Sequence, residues 1–203
     1  MMNRTVAKII SAVFNPLLMP SYALLILFTT NTYFTFLPFE AKKAIFLTTF
    51  ISTCLLPLAF IPLFIYQKLI QNIEMDKRRE RLLPFSVVAI LYFLSYFLMK
   101  QMGVPPTILK VILAGGILIL IIIPITIRWK ISAHMAGVGA LAATIVAFTV
   151  ILKADFITYL LISLFIAGIL GTARIVLKSH TPQEVYAGFG LGVTVLSLTY
   201  FVF

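Results

Sequence analysis

The sequence predicts an all-α integral membrane protein, a bundle of about six to seven transmembrane helices forming one domain over residues 1–203. Three observations carry this. Hydrophobic residues make up 62% of the chain and charged residues only 11%, where a soluble domain has roughly half and a quarter. The mean hydropathy of +1.11 makes lipid the solvent that suits most of this surface. The apolar residues also fall in runs of about membrane-spanning length, separated by short polar or proline-bearing stretches.

In chain order, residues 3–16 carry Arg4 and Lys8 and read as a short interfacial helix ahead of Pro16 and Pro20. A first span covers 17–37, with Pro38 beyond it. Lys42 and Lys43 mark a turn into a second span, 44–66, which Pro57 and Pro62 should kink. The one strongly charged run, Glu74 to Arg81, follows and ends at Pro84. A third, short span is expected over 84–99 and a fourth over 107–127, with Arg128, Trp129 and Lys130 as an interfacial anchor. The fifth, 132–152, carries Ala136, Ala140, Ala143 and Ala147; the seventh, from Pro182 to the C-terminus, carries Gly188 and Gly192. Small residues at four-residue spacing let helices approach closely. The sixth lies between them at 156–172. Asn15, Pro16 and Pro20 interrupt the first apolar run, so a cleaved signal peptide is not expected.

Several function classes are disfavoured at once. A single cysteine, Cys54, sits inside an apolar run, which rules out a disulfide framework and a Cys-based zinc site. The net charge of +10 is scattered between apolar segments rather than gathered on a soluble face. That points to a membrane surface or to phosphate, not to nucleic acid.

The polar chemistry is sparse: two histidines and six acidic residues. His134 opens the fifth span and His180 the seventh, so both return to one membrane face, as does the basic run Lys77 to Arg81. The stretch Ala173 to Glu184, ARIVLKSHTPQE, is the most specific. Thr181 is a good helix N-cap, Pro182 suits the first helical position, and Glu184 stands where a capping box wants an acid. His180 is thereby placed at a helix N-terminus, where anions are favoured. The plain reading of the same residues is a helix cap and an interfacial Arg174 and Lys178. Together, however, a basic cluster, two histidines and a carboxylate suit phosphoryl transfer. Cations hold phosphate oxygens, one histidine attacks phosphorus with a carboxylate behind it, and the other protonates the leaving oxygen.

These residues resemble the type 2 phosphatidic acid phosphatases, whose motifs are a Lys, six residues, Arg-Pro; a Pro-Ser-Gly-His; and a Ser-Arg, five residues, His, three residues, Asp. Here the third reads Ala173-Arg174, five residues, His180, three residues, Glu184, and the second reads Ile131-Ser132-Ala133-His134. The first is degenerate: with Pro84 as its proline, Leu83 replaces the arginine and Asp76 the lysine. The resemblance implies a helical core like that family's and a lipid phosphatase needing no metal or other cofactor. His180 would be the nucleophile, His134 the general acid and Glu184 the group orienting His180. Arg174, Lys77, Arg81 and Ser132 would hold phosphate, with Arg78 as a rival for the places of Lys77 and Arg81. The implied partner is a lipid phosphate or diphosphate: undecaprenyl diphosphate, phosphatidylglycerol phosphate or phosphatidic acid. Glu in place of Asp, Ala133 in place of Gly and the damaged first motif leave open a second reading, an impaired relative that binds anionic lipid or a membrane partner. A metal site on His134, His180 and Glu184 is disfavoured because the surrounding basic groups repel a cation. A small anion transporter is a third reading, resting only on charges at helix starts. Most of the sixteen Lys and Arg fall on the site-bearing side, which by charge bias would place the site in the cytoplasm. The resemblance favours the outer face of a bacterial inner membrane.

Overall fold

The computed structural model describes residues 2–72, 75 and 77–202, and among them every regular element is helical. Seven helical segments are long and apolar enough to cross a membrane, as the composition predicts. The chain is a polytopic helical bundle.

The first crossing departs from expectation. The interfacial helix forms as α1, Arg4–Val13, with Asn3 accepting the Thr5 N–H as its cap. It then turns through a 3₁₀ segment, Pro16–Leu18, into α2, Met19–Thr29. At 1.5 Å per residue α2 alone is about 16 Å long, roughly half a hydrocarbon core. The first span is therefore the broken helix Arg4–Thr29, not 17–37. It ends early because polar side chains compete for the backbone: Thr30 turns extended and its carbonyl accepts from the Thr35 hydroxyl at 2.6 Å, and a capping box at Thr32 starts a separate 3₁₀ turn, Tyr33–Phe36.

The second crossing comprises α3, Phe39–Phe50, a π-turn, Ile51–Leu55, and α4, Leu56–Tyr66. Pro57 cannot donate an N–H and its ring crowds the carbonyl of the preceding turn. The wider π-turn, closed by Leu56 N–H on Ile51 O, relieves that crowding. The third crossing is longer than expected: a 3₁₀ turn, Arg78–Arg81, runs directly into α5, Leu82–Gln101. Of the charged run before it, Glu74 and Asp76 lie outside the described residues. Then follow α6, Pro106–Arg128, α7, Ala133–Leu152, α8, Ile157–Val176, and α9, Pro182–Phe201. The sixth span runs four residues past its expected end, which puts Arg174 in the last turn of α8, at the negative end of the helix dipole.

The centre of the bundle is the α7–α9 pair, two parallel helices joined through α8. They touch backbone to backbone. A Cβ on Gly188 would lie 2.6 Å from Ser132 O, and Cβ atoms on Gly139 and Gly192 would overlap Phe189 O and Ala136 O outright. The small-residue spacing read from sequence thus does its expected work, from the N-cap of α7 and the second turn of α9 onward. Ser132 N–H also donates to Glu184 O at 3.2 Å. The two N-termini are held side by side, and with them His134 and His180.

Candidate functional site

The turn carrying His180 is built from two back-to-back caps. At the end of α8, Lys178 adopts a left-handed conformation (φ 56°). Ser179 N–H donates to Arg174 O and Lys178 N–H to Ile175 O, the two bonds of a Schellman motif with lysine in the place glycine usually takes. One residue beyond His180, Thr181 Oγ1 accepts from Glu184 N–H and Glu184 Oε2 accepts from Thr181 N–H. This is the capping box the sequence predicts. His180 is caught between two fully bonded helix ends, so its ring has little freedom.

That ring is buried, with 2% of its side chain exposed. Nδ1 lies 2.9 Å from Lys130 O and 3.2 Å from Glu184 Oε2. A carbonyl oxygen can only accept, so Nδ1 carries the proton and shares it between the two. Burial holds the imidazole down to a pKa of about 4, and Arg81 and Arg174 nearby push the same way; the Lys130 carbonyl and the Glu184 carboxylate offset part of this. The ring is neutral at pH 7, and Nε2 carries the lone pair. Among the described residues Nε2 has no hydrogen-bond partner.

His134 sits in the first turn of α7, where Ser132 Oγ accepts the Met135 N–H. Its Nε2 is 3.1 Å from Ser11 O of α1, so this nitrogen also bears a proton. Arg81 is 6% exposed despite its charge and donates from Nε to Met75 O at 3.0 Å.

His134, His180, Arg81 and Arg174 line one cavity of about 780 Å³. Arg4 and Lys8 of α1 and Lys178 stand at the same polar end. From there the walls turn apolar, through Pro84, Phe85 and Tyr92 of α5 to Val111 of α6 and Leu196 of α9. Val111 is seventeen residues before the site end of α6, about 25 Å along the axis. The cavity thus joins a cationic mouth to a deep apolar chamber, the shape of an anionic amphiphile.

Two expected phosphate ligands are not brought in. Lys77 is exposed, starts the 3₁₀ turn in extended conformation and does not line the cavity. Ser132 is fully buried under Gly188 and serves as the cap of α7. Arg78, the rival for a ligand place, instead donates to the Arg128 carbonyl on the exposed side. Glu184 lines a separate shallow pocket with Lys130 and Thr181; it touches His180 from behind and does not face the cavity. Conversely, the sequence marks α1 only as an interfacial helix and gives no sign of the Lys130 carbonyl. The four-residue spacing of Arg4 and Lys8, which puts both on one helix face, is the signal that was available. A backbone carbonyl leaves no such signal. Among the described residues no three His, Cys, Asp or Glu side chains converge. No protein-family model, curated protein or solved structure matches this chain.

Proposed function

We propose that this protein is a membrane lipid phosphatase that works through a phosphohistidine. The observation that carries it is His180: a neutral imidazole, fixed through Nδ1 by Lys130 O and Glu184, at the cationic mouth of a chamber with a long apolar interior. In the proposed first step Nε2 attacks phosphorus and the bond to the lipid-side oxygen breaks. His134, which takes up a second proton when the anionic headgroup binds, gives that oxygen its Nε2 proton and is left neutral. Arg81 and Arg174 spread the charge on the phosphoryl oxygens, and Glu184 supports the imidazolium that develops. Water, losing a proton to His134, then attacks phosphorus, the Nε2–phosphorus bond breaks, and inorganic phosphate leaves with His180 restored. The two N-termini of α7 and α9 add their dipoles at the same place. Candidate substrates are undecaprenyl diphosphate, phosphatidylglycerol phosphate and phosphatidic acid, and the proposed location of the mouth is the outer face of a bacterial inner membrane.

A second reading is a relative that binds an anionic lipid without turnover. It is favoured by the commitment of His134 Nε2 to Ser11 O and by the absence of Lys77 from the cavity. Phosphate release from the three lipids, with and without EDTA, separates the two. Turnover abolished by His180→Ala supports the enzyme. No release from any of them, or release that survives His180→Ala, sinks it. Labelling of cysteines placed at each terminus with a membrane-impermeant reagent in intact cells tests the orientation, since a reactive N-terminus is expected for an outward site.

A further inference from the structure

The polar end of the cavity has two cationic walls. One is formed by Arg81 and Arg174, beside His180. The other is α1, which packs against α8 and turns Arg4, Lys8 and Ser11 toward the cavity. These three fall on one helix face, each about one turn from the next. Ser11 fixes the register of that face, because its carbonyl accepts from His134 Nε2 at 3.1 Å. Lys8 is then about one turn, and Arg4 about two turns, from the imidazole along α1, roughly 5 and 10 Å. The opposite face of α1 carries the exposed Val6, Ile9 and Val13, so the cations do not reach the cavity by accident of a uniformly basic helix. Neither Arg4 nor Lys8 makes an ion pair or hydrogen bond among the described residues, and the described lining residues include no carboxylate.

A phosphomonoester presents three terminal oxygens and at most two negative charges, which the His180 wall is placed to meet. Resting on the phosphatase reading above, we propose that Arg4 and Lys8 form a second anion subsite, so that the headgroup this site fits is a diphosphate. Its terminal phosphorus lies at His180 and its inner phosphate lies against α1. The lipid-side oxygen released by attack of Nε2 is then an oxygen of the inner phosphate, and the product leaves as a lipid monophosphate with its proton supplied by His134. The bridging oxygen falls between the two walls, where His134 stands.

The test is binding of two non-hydrolysable probes with the same prenyl chain, a methylenediphosphonate and a monophosphonate, to the full-length protein in nanodiscs of zwitterionic lipid. The wild type should bind the diphosphonate at least about tenfold more tightly, the scale of one charge-assisted hydrogen bond partly screened by water. The double variant Arg4→Gln/Lys8→Gln should lose most of that preference, and Arg4→Lys/Lys8→Arg should keep it. Both side chains are exposed, so the substitutions spare the core, and a monodisperse elution profile checks this. Equal binding of both probes by the wild type, or a preference that survives in the double variant, overturns the proposal. So does an equal weakening for both probes, which would mean only a general attraction for anions at the membrane surface. Phosphate release from the matching prenyl diphosphate and monophosphate is measured in parallel. Absence of turnover on both sinks the phosphatase reading while the binding result still decides the subsite.

Discussion

Replacing Glu184 by Gln separates two jobs that a carboxylate behind a catalytic histidine can do. In the serine protease triad, amidation of the buried aspartate costs about 10⁴ in kcat, because the imidazole adopts the wrong tautomer. Here the tautomer is held twice. Lys130 O is at 2.9 Å from Nδ1 and Glu184 Oε2 at 3.2 Å, so the carbonyl alone keeps Nδ1 protonated and Nε2 ready to attack. Gln also keeps an oxygen for Thr181 N–H, so the cap of α9 survives. What is lost is the negative charge facing the imidazolium as it forms. A hydrogen bond to a charged group contributes about 1.5–3 kcal/mol, and at 1.4 kcal/mol per decade the expected fall in kcat/KM is about 10- to 150-fold. The assay is phosphate release at pH 7 from one lipid substrate in one detergent, for wild type, Glu184→Gln and His180→Ala side by side. Glu184→Gln within twofold of wild type would show that the carboxylate only caps the helix. A variant as inactive as His180→Ala would show that the Lys130 carbonyl does not hold the ring. Either result refutes the division of labour argued from the two distances.

Three further outcomes follow from the same geometry. Because His180 is held at a pKa of about 4 against about 6.5 when unfolded, the unfolded chain binds more protons between those values; stability is complete above pH 6.5 and falls as the pH drops through 4, by roughly 3 kcal/mol in all. Denaturation in detergent at pH 7 and pH 4.5 should show that loss, His180→Gln should show clearly less of it, and the acid limb of kcat/KM should lie near 4 rather than 6.5. Gly192→Val drives a side chain into Ala136 O and Ala140 N, so the apparent Tm should drop by several degrees, consistent with an overpacking cost of about 1–3 kcal/mol. Activity should fall with it as the two N-termini separate; an unchanged Tm would mean that α7 and α9 do not depend on backbone contact. Lys77→Ala should leave phosphate release within about twofold, whereas Arg81→Ala should reduce it about 100-fold, the scale set by losing one preorganised charge at a developing oxyanion; the reverse order in a side-by-side assay would restore Lys77 to the site.

The bundle was legible because composition and run length respond to the bilayer itself. The His180 turn was legible because capping is local: Thr181, Pro182 and Glu184 act within one helical turn. The contact of α7 with α9 was legible as small residues at four-residue spacing, although their partners were not. The errors share one cause. Hydropathy carries the first span to residue 37, but the Thr35 hydroxyl takes the Thr30 carbonyl and a cap at Thr32 opens a new turn, so the helix stops at Thr29. Short-range polar bonding outweighed average apolarity there. Lys77 and Arg81 are four residues apart and look equivalent as letters. A 3₁₀ turn between them buries Arg81 and leaves Lys77 outside. Which member of a basic run reaches a cavity depends on that turn, and the run itself does not reveal it.

The break at Asn15–Pro16 also bears on how His134 could act. An unbroken first helix would carry α1 straight on from α2; the break instead lets α1 lie along α8 with Ser11 O on His134 Nε2. For His134 to protonate a leaving oxygen, that oxygen must take the place of a backbone carbonyl. The exchange swaps one acceptor for another, and each such bond contributes only about 0.5–1.5 kcal/mol net, so an anionic oxygen, the stronger acceptor, wins it. The displaced carbonyl lies in the open last turn of α1, whose final backbone bond is Phe14 N–H to Ile10 O, so it must be met by water entering the polar end of the cavity. On this argument the Ser11 contact keeps Nε2 protonated and aimed while the cavity is empty and yields when the headgroup arrives. The contact that favours a binding-only reading is therefore equally suited to a proton donor waiting for its acceptor, and turnover alone separates the two.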